Sequence, residues 1–238
     1  MIDVTEVAAG IFRVSVFDEA DLVGGGICWP GISYNMFVFK GEKTAVLETL
    51  FRKTFERVRA RIATTIDVSA LGHVVVPHHE GDSSGALNQW LAAAPKADVL
   101  CSDMCAALNL RDFSDREPRV VKDGEVLDLG SHRLRFLMTP QVNQWDSLMV
   151  YEEKTRTLFP NDLFSHPGTA VTVREDPSAT ALGAARELGY QPNDRASLLK
   201  ALDKIGPLKV DLVANMHGPT VHGHFEKLVK TFRDNQLA

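Results

Sequence analysis

The run Val74-Val75-Val76-Pro77-His78-His79-Glu80-Gly81-Asp82-Ser83-Ser84-Gly85 sets an imidazole and two carboxylates at alternate positions directly after three β-branched apolar residues. In an extended segment, residues i, i+2 and i+4 share one face. His78, Glu80 and Asp82 are therefore expected to point one way, and His79 and Gly81 the other. Three ligand-type side chains would then converge on one spot. Ser83-Ser84-Gly85 with the following Ala86-Leu87-Asn88-Gln89-Trp90-Leu91 reads as a small-residue turn opening a helix over 84–93. The cluster thus belongs to a strand-to-helix connection, where α/β proteins concentrate their chemistry. A motif this short also occurs in solvated loops, so the rest of the chain has to decide.

Working outward, strands are expected over 11–17, 34–40 and 44–48, the last two joined by a turn at Gly41-Glu42-Lys43. A helix over 50–62 follows from Phe51, Phe55, Val58 and Ile62 at helical spacing. The strand over 73–76 delivers the His78 cluster. Beyond it come the helix over 84–93, a strand over 98–101 and a helix capped by Ser102 with Asp103. Residues 119–130, with Asp123-Gly124 at a turn, read as a hairpin, and strands over 133–138, 147–151 and 157–159 continue from it. Helices are expected over 181–188 and 194–205, the second capped by Asn193, then a strand over 210–215 and a last helix over 223–232. No Pro/Ser-rich linker divides residues 1–238, which read as one domain. Each half runs strands first and strand–helix units second, the order of an α/β two-sheet sandwich with helices on both outer faces.

The 238 residues carry a formal charge of -5 with basic residues scattered, which argues against nucleic acid as a partner. No apolar run approaches the roughly 20 residues of a membrane helix, and Met1-Ile2-Asp3-Val4-Thr5-Glu6 lacks the features of a signal peptide. A cytoplasmic protein with no membrane contact is the expectation. Three cysteines, Cys28, Cys101 and Cys105, form an odd set that suits reduced thiols. Cys101 and Cys105 lack the further thiolates a tetrahedral site needs and read as buried structural residues.

Two more ligand types fall at strand ends: Asp162 after Thr157-Leu158-Phe159-Pro160-Asn161, and His217 after Val213-Ala214-Asn215-Met216. With His78, Glu80 and Asp82 they make five ligands from three separated loops on one rim. At these residues the chain resembles the metallo-β-lactamase superfamily, and within it the flavodiiron branch. The likeness runs nearly end to end, through Tyr34-Asn35, Leu47-Glu48-Thr49, Asp123-Gly124, Thr139-Pro140, Asp146-Ser147, Asn161-Asp162 and His217-Gly218-Pro219. It implies a four-layer αβ/βα sandwich of metallo-β-lactamase type and two metals per chain, bridged by Asp162, with His78 and Glu80 on one and Asp82 and His217 on the other. Glu80, where the hydrolytic branch carries histidine, points to iron, in line with the preference of hard carboxylates for iron or manganese over zinc.

The sequence departs from the family pattern at two histidine positions, which fall on Ser83 and Asn143, so each metal would lose an imidazole. The Asn143 amide oxygen is a weak substitute ligand, and His166, four residues after Asp162, is a candidate proton relay. His79 is expected to face away from the site, His222 and His224 to lie at the surface, and His73 and His132 to be structural. Trp145 is expected in the core or against the pocket wall.

The resemblance implies a stand-alone protein that binds or reduces dioxygen or nitric oxide. No FMN-carrying flavodoxin-like domain follows the last helix, so electrons are expected from a separate donor protein. The alternatives are a dinuclear metallohydrolase acting on esters, thioesters or lactams and a non-catalytic sensor or scaffold; zinc and manganese are the alternative metals. A homodimer is a family expectation, with the strand over 11–17 as a contributor to its interface.

Overall fold

The computed structural model describes residues 1–17, 32–168, 170–188 and 195–235. In chain order the first sheet contains β1 (Ile2–Ala8), β2 (Ile11–Phe17), β3 (Ser33–Phe39), β4 (Thr44–Leu47), β5 (Leu71–Val75), β6 (Asp98–Cys101) and β7 (Arg119–Val120), laid side by side in that order. The second contains β8 (Val126–Asp128), β9 (Arg133–Met138), β10 (Leu148–Glu152), β11 (Thr157–Phe159), β12 (Thr172–Val173), β13 (Leu212–Val213) and β14 (Thr220–His222), ordered β12-β14-β13-β11-β10-β9-β8.

Alternation along the strands builds the layers. In β3, Met36 and Val38 enter the apolar cluster shared with the helices, while Phe37 and Phe39 enter the cluster between the sheets. Val74 and Val75 divide the same way, and Leu134, Phe136, Leu148, Val150 and Phe159 meet them from the second sheet. Outside the first sheet lie α1 (Phe55–Ile62), α2 (Leu87–Ala93), α3 (Asp103–Cys105), a π turn (Ala106–Leu110) and α4 (Arg111–Phe113). Outside the second lie α5 (Ser178–Leu188), α6 (Arg195–Ile205) and α7 (Phe225–Asn235). On α7, Phe225, Leu228, Val229 and Phe232 form the buried stripe expected of a helix laid on a sheet. The result is the four-layer αβ/βα sandwich.

Several boundaries and pairings differ from the expectations. Residues 119–130 are not a hairpin: β7 runs parallel to β6 in the first sheet, and β8 pairs with β9 in the second. The Asp123-Gly124 turn, with Gly124 at φ 77°, carries the chain between sheets instead of folding it back on itself. The sequence reading did not assign β1, β12 and β14. The helix expected from residue 50 begins as a 3-10 turn at Arg52–Thr54, because Leu50 takes φ 60°.

The expected interface strand β2 is hydrogen-bonded on both edges, by β1 and β3, and most of its side chains are buried, so it offers no free edge for a partner. Cys101 and Cys105 are buried free thiols; Cys28 and Asn193 lie outside the described residues. Among the described residues no helix is long and apolar enough to cross a membrane.

Candidate metal centre

Past β5 the chain does not continue as an extended strand. Leu148 donates its backbone N–H to Pro77 O at 3.0 Å, and His79 N donates to the Asp146 carboxylate at 3.0 Å. Ser84 N closes a turn on Glu80 O at 2.9 Å, and Thr49 N bonds Ser83 O at 3.0 Å. Ligand-type atoms of His78, Glu80 and Asp82 still converge to within 4.8 Å of one another. A pinned turn achieves this in place of the strand alternation that the spacing suggested.

Asp162 and His217 arrive from the ends of β11 and β13. The two oxygens of the buried Asp162 divide between the two histidines: Oδ2 lies 3.7 Å from His78 Nε2, and Oδ1 lies 3.2 Å from His217 Nε2. His78 Nε2 is also 3.5 Å from Glu80 Oε2, and His217 Nε2 is 3.6 Å from Asp82 Oδ2. Two donors each 2.0–2.2 Å from a shared ion, at angles between octahedral and tetrahedral, stand about 2.8–3.6 Å apart. These separations fall within or just beyond that range, and all but the 3.2 Å contact are long for hydrogen bonds. His78 Nδ1 and Nε2 and Asp162 Oδ1 are buried without a hydrogen bond, although buried polar groups are normally satisfied.

Charge points the same way. Burial alone would push His78 down, yet Asp162, Glu80 and Glu48 outweigh it and raise it to about 10. His217 is raised likewise, burial being overcome by Asp162 and Asp82. Burial raises Asp82. For Asp162 burial is outweighed by the two histidines, and its carboxyl is held below the usual range. Carboxylates this crowded need cationic company. The donor set, its spacing and its unpaired atoms fit hard divalent cations.

Asn143 reaches this site: its side-chain amide meets Asp162 Oδ2. Two further groups were not visible as site residues in the sequence. Gln144 Nε2 meets Glu80 Oε1, and no sequence signal singles out an amide in such a loop. Glu48 is buried with Oε2 unpaired, and burial raises its carboxyl well above the ordinary range. It follows the apolar run Ala45-Val46-Leu47 at a strand end, the same signal that marks His78. Glu48 and Asn161, whose amide atoms are both unpaired, line one small cavity between the sheets.

His166 packs against the 215–218 loop: its Nδ1 bonds Phe164 O at 3.1 Å and lies 3.4 Å from Asn215 Nδ2, its Nε2 is buried without a hydrogen bond, and burial lowers its pKa. His79 turns its ring toward Ser84 and Phe113. Trp145, expected in the core or pocket wall, is 52% exposed.

Backbone strain marks the same rim. Of the eight described non-glycine residues at positive φ, six flank the site: Glu48, Leu50, Gln141, Asn143, Asn161 and Phe164. Such conformations persist where the surroundings over-determine them, and they cluster at functional sites. A groove of about 940 Å3, lined by Phe51, Arg52, His79, Glu80 and Phe113 among others, opens over Glu80 and leads to this rim.

Residues 32–218 match the family model described as ODP family beta lactamase. The chain belongs to that family. This ODP-family chain is 33% identical over 82% of its length to a putative diflavin flavoprotein A 2 of Synechocystis, covering 34% of that protein. It is 28% identical over 79% of its length to an anaerobic nitric oxide reductase flavorubredoxin of Salmonella arizonae, covering 41% of it. Among solved structures, rubredoxin oxygen:oxidoreductase of Desulfovibrio gigas superposes with a TM-score of 0.83 at 23% identity, over 98% of this chain and 61% of that one. The chain spans between a third and a half of the length of the curated relatives it matches. Its relatives are flavodiiron proteins, and its fold is that of their metallo-β-lactamase-like core.

Proposed function

We propose that the chain is a binuclear iron protein of flavodiiron type that binds and reduces dioxygen or nitric oxide with electrons from an external donor protein. The observation that carries this reading is the single carboxylate of Asp162 presenting one oxygen to each of two histidines. His78 and Glu80 would hold one iron, and Asp82 and His217 the other. When bound, the two irons supply gas-ligand and electron-storage chemistry that no side chain provides. The protein's part is to keep the ligands aimed at one another, through the pinned 77–84 turn, and to bury all of them but Glu80 from water. Three carboxylates to two imidazoles favour iron or manganese over zinc. Glu80, at the floor of the open groove, is the ligand nearest to an incoming molecule, and the exposed Arg52 and Lys53 beside it suit an acidic donor surface.

The test is reconstitution with ferrous iron under anaerobic conditions. Elemental analysis of wild type and Asp162→Ala accompanies gas consumption driven by a chemical reductant. About two irons per chain, lost in the variant together with gas consumption, is the expected result. Two zincs with ester or lactam hydrolysis would transfer the site to the hydrolases. No stoichiometric metal in the wild type would sink the reading and leave a sensor or scaffold.

A further inference from the structure

Arg13 is among the largest fully buried side chains of the protein, and among the described residues no carboxylate comes within ion-pair distance of it. Burial lowers its guanidinium to about 10, so it remains charged at neutral pH. All its nitrogens donate to neutral acceptors. Nε meets Asn35 Oδ1 at 3.1 Å, Nη1 meets Val171 O at 3.1 Å and Ala170 O at 3.4 Å, and Nη2 meets Ser33 Oγ at 2.9 Å and Gly218 O at 3.2 Å. A buried cation without a counter-ion is costly and can be kept only by such full hydrogen bonding.

Those acceptors surround His217. Gly218 O, next in the chain, also accepts from Asn35 Nδ2 at 2.8 Å, and Asn35 Nδ2 reaches Asn215 O at 2.9 Å. Ser33 supplies the remaining link: its carbonyl accepts from Gly218 N at 3.3 Å and lies 3.3 Å from His217 Nδ1. A carbonyl only accepts, so this contact places the proton on Nδ1 and turns Nε2 toward Asp162 and Asp82. Gly218 leaves no room for a side chain. It takes φ 79°, and a Cβ there would stand 1.7 Å from His166 O.

We propose that Arg13 is a positioning residue for the metal ligand His217, acting through Ser33, Asn35 and the Gly218 carbonyl. Its fork holds four chain segments at once: β2, β3, the 170–171 segment and the 215–218 loop. An ammonium cannot reproduce that, because it has three donors on a flexible stem and no planar fork. The metal half of this proposal rests on the functional reading above, and the clamp itself does not.

The experiment uses the full chain with Arg13→Gln and Arg13→Lys, and with Ser33→Ala as a milder break in the same link. In metal-free protein, amide hydrogen exchange of Gly218 is expected to quicken tenfold or more in Arg13→Gln, while amides in the centre of the second sheet keep their rates. In a parallel ferrous-iron titration, one of the two metal equivalents is expected to weaken by 10–100-fold, the size seen when groups orienting a ligand are removed. Arg13→Lys should follow Arg13→Gln, and Ser33→Ala should lie between them and the wild type. Unchanged Gly218 exchange, or acceleration of all amides alike, would overturn the proposal and make Arg13 a general fold residue. Wild-type protein that takes up no iron would refute the metal reading, and the exchange data would still decide the clamp.

Discussion

Two buried polar regions face each other across His217, and they are built on opposite rules. Around Arg13 and Asn35 the donors are spent: Asn35 Oδ1 alone accepts from Arg13, Ser15 and Ser33. On the candidate metal rim, His78 and Asp162 keep buried atoms unpaired, and the backbone is strained on several sides. Burial is equal, so burial does not separate scaffold from site. Satisfaction separates Arg13 and Asn35 from His78 and Asp162: a paired buried group fixes geometry, and an unpaired one is open to a ligand. Glu152 sharpens the contrast within the second sheet. It is as buried as Asp162, yet its oxygens take Arg133 N at 3.0 Å and Thr155 N and Oγ1 at 2.6 Å each.

The most severe way to break the contrast is at the joint between the regions. Gly218→Ala forces a Cβ against His166 O at positive φ, and should cost about 4 kcal/mol or more in chemical denaturation. A result under 1 kcal/mol would show that the loop can yield. His78→Ala removes an imidazole that, among the described residues, comes within ion-pair distance of Glu80 and Asp162. Bound metal should fall from two equivalents to one, with the lost equivalent weakened on the order of 100-fold in a ferrous titration. Equal occupancy with wild type would show that His78 is not a ligand.

Glu152→Gln tests the satisfied side. Burial raises the Glu152 carboxyl, but the His132 imidazole 3.7 Å away and hydrogen bonds from Thr155 and the Arg133 backbone outweigh it and hold it at about 2, against an ordinary 4.5. A depressed folded pKa contributes stability that is present above pH 4.5 and lost as pH falls toward 2. The variant should lose about 2 kcal/mol at neutral pH and show a flatter fall in melting temperature across that acid window. Metal content should not change.

Gln144→Ala should have the smallest effect. It frees Glu80 Oε1 from an amide donor, for about 1 kcal/mol or less in either metal affinity or stability. A loss of metal comparable to that of His78→Ala would instead make Gln144 part of the ligand set.

The placement of chemistry at strand ends was readable because apolar runs of three or four residues followed by His, Asp or Glu occur in few places. His78, Glu80, Asp82, Asp162 and His217 all carry that mark. The helices α6 and α7 were readable from their stripes, with ends displaced by at most three residues. The hairpin expected over 119–130 failed because an Asp-Gly turn states only that the chain bends. Which sheet each arm joins depends on edges supplied by β6 and β9, far away in sequence. Trp145 was misjudged for a related reason: an aromatic side chain buries only where a surface is offered to it.

By itself the sequence determined the residue types that can ligate, their order along the chain, and the apolar periods of strands and helices. These are local properties, decided within a few residues of chain. Tertiary structure decided the rest: that Asp162 divides its oxygens between two histidines, that Gln144 and Glu48 join the rim, and that a buried arginine on β2 holds a loop some two hundred residues away. Each of these is a contact between segments remote in sequence, set by how two sheets pack face to face.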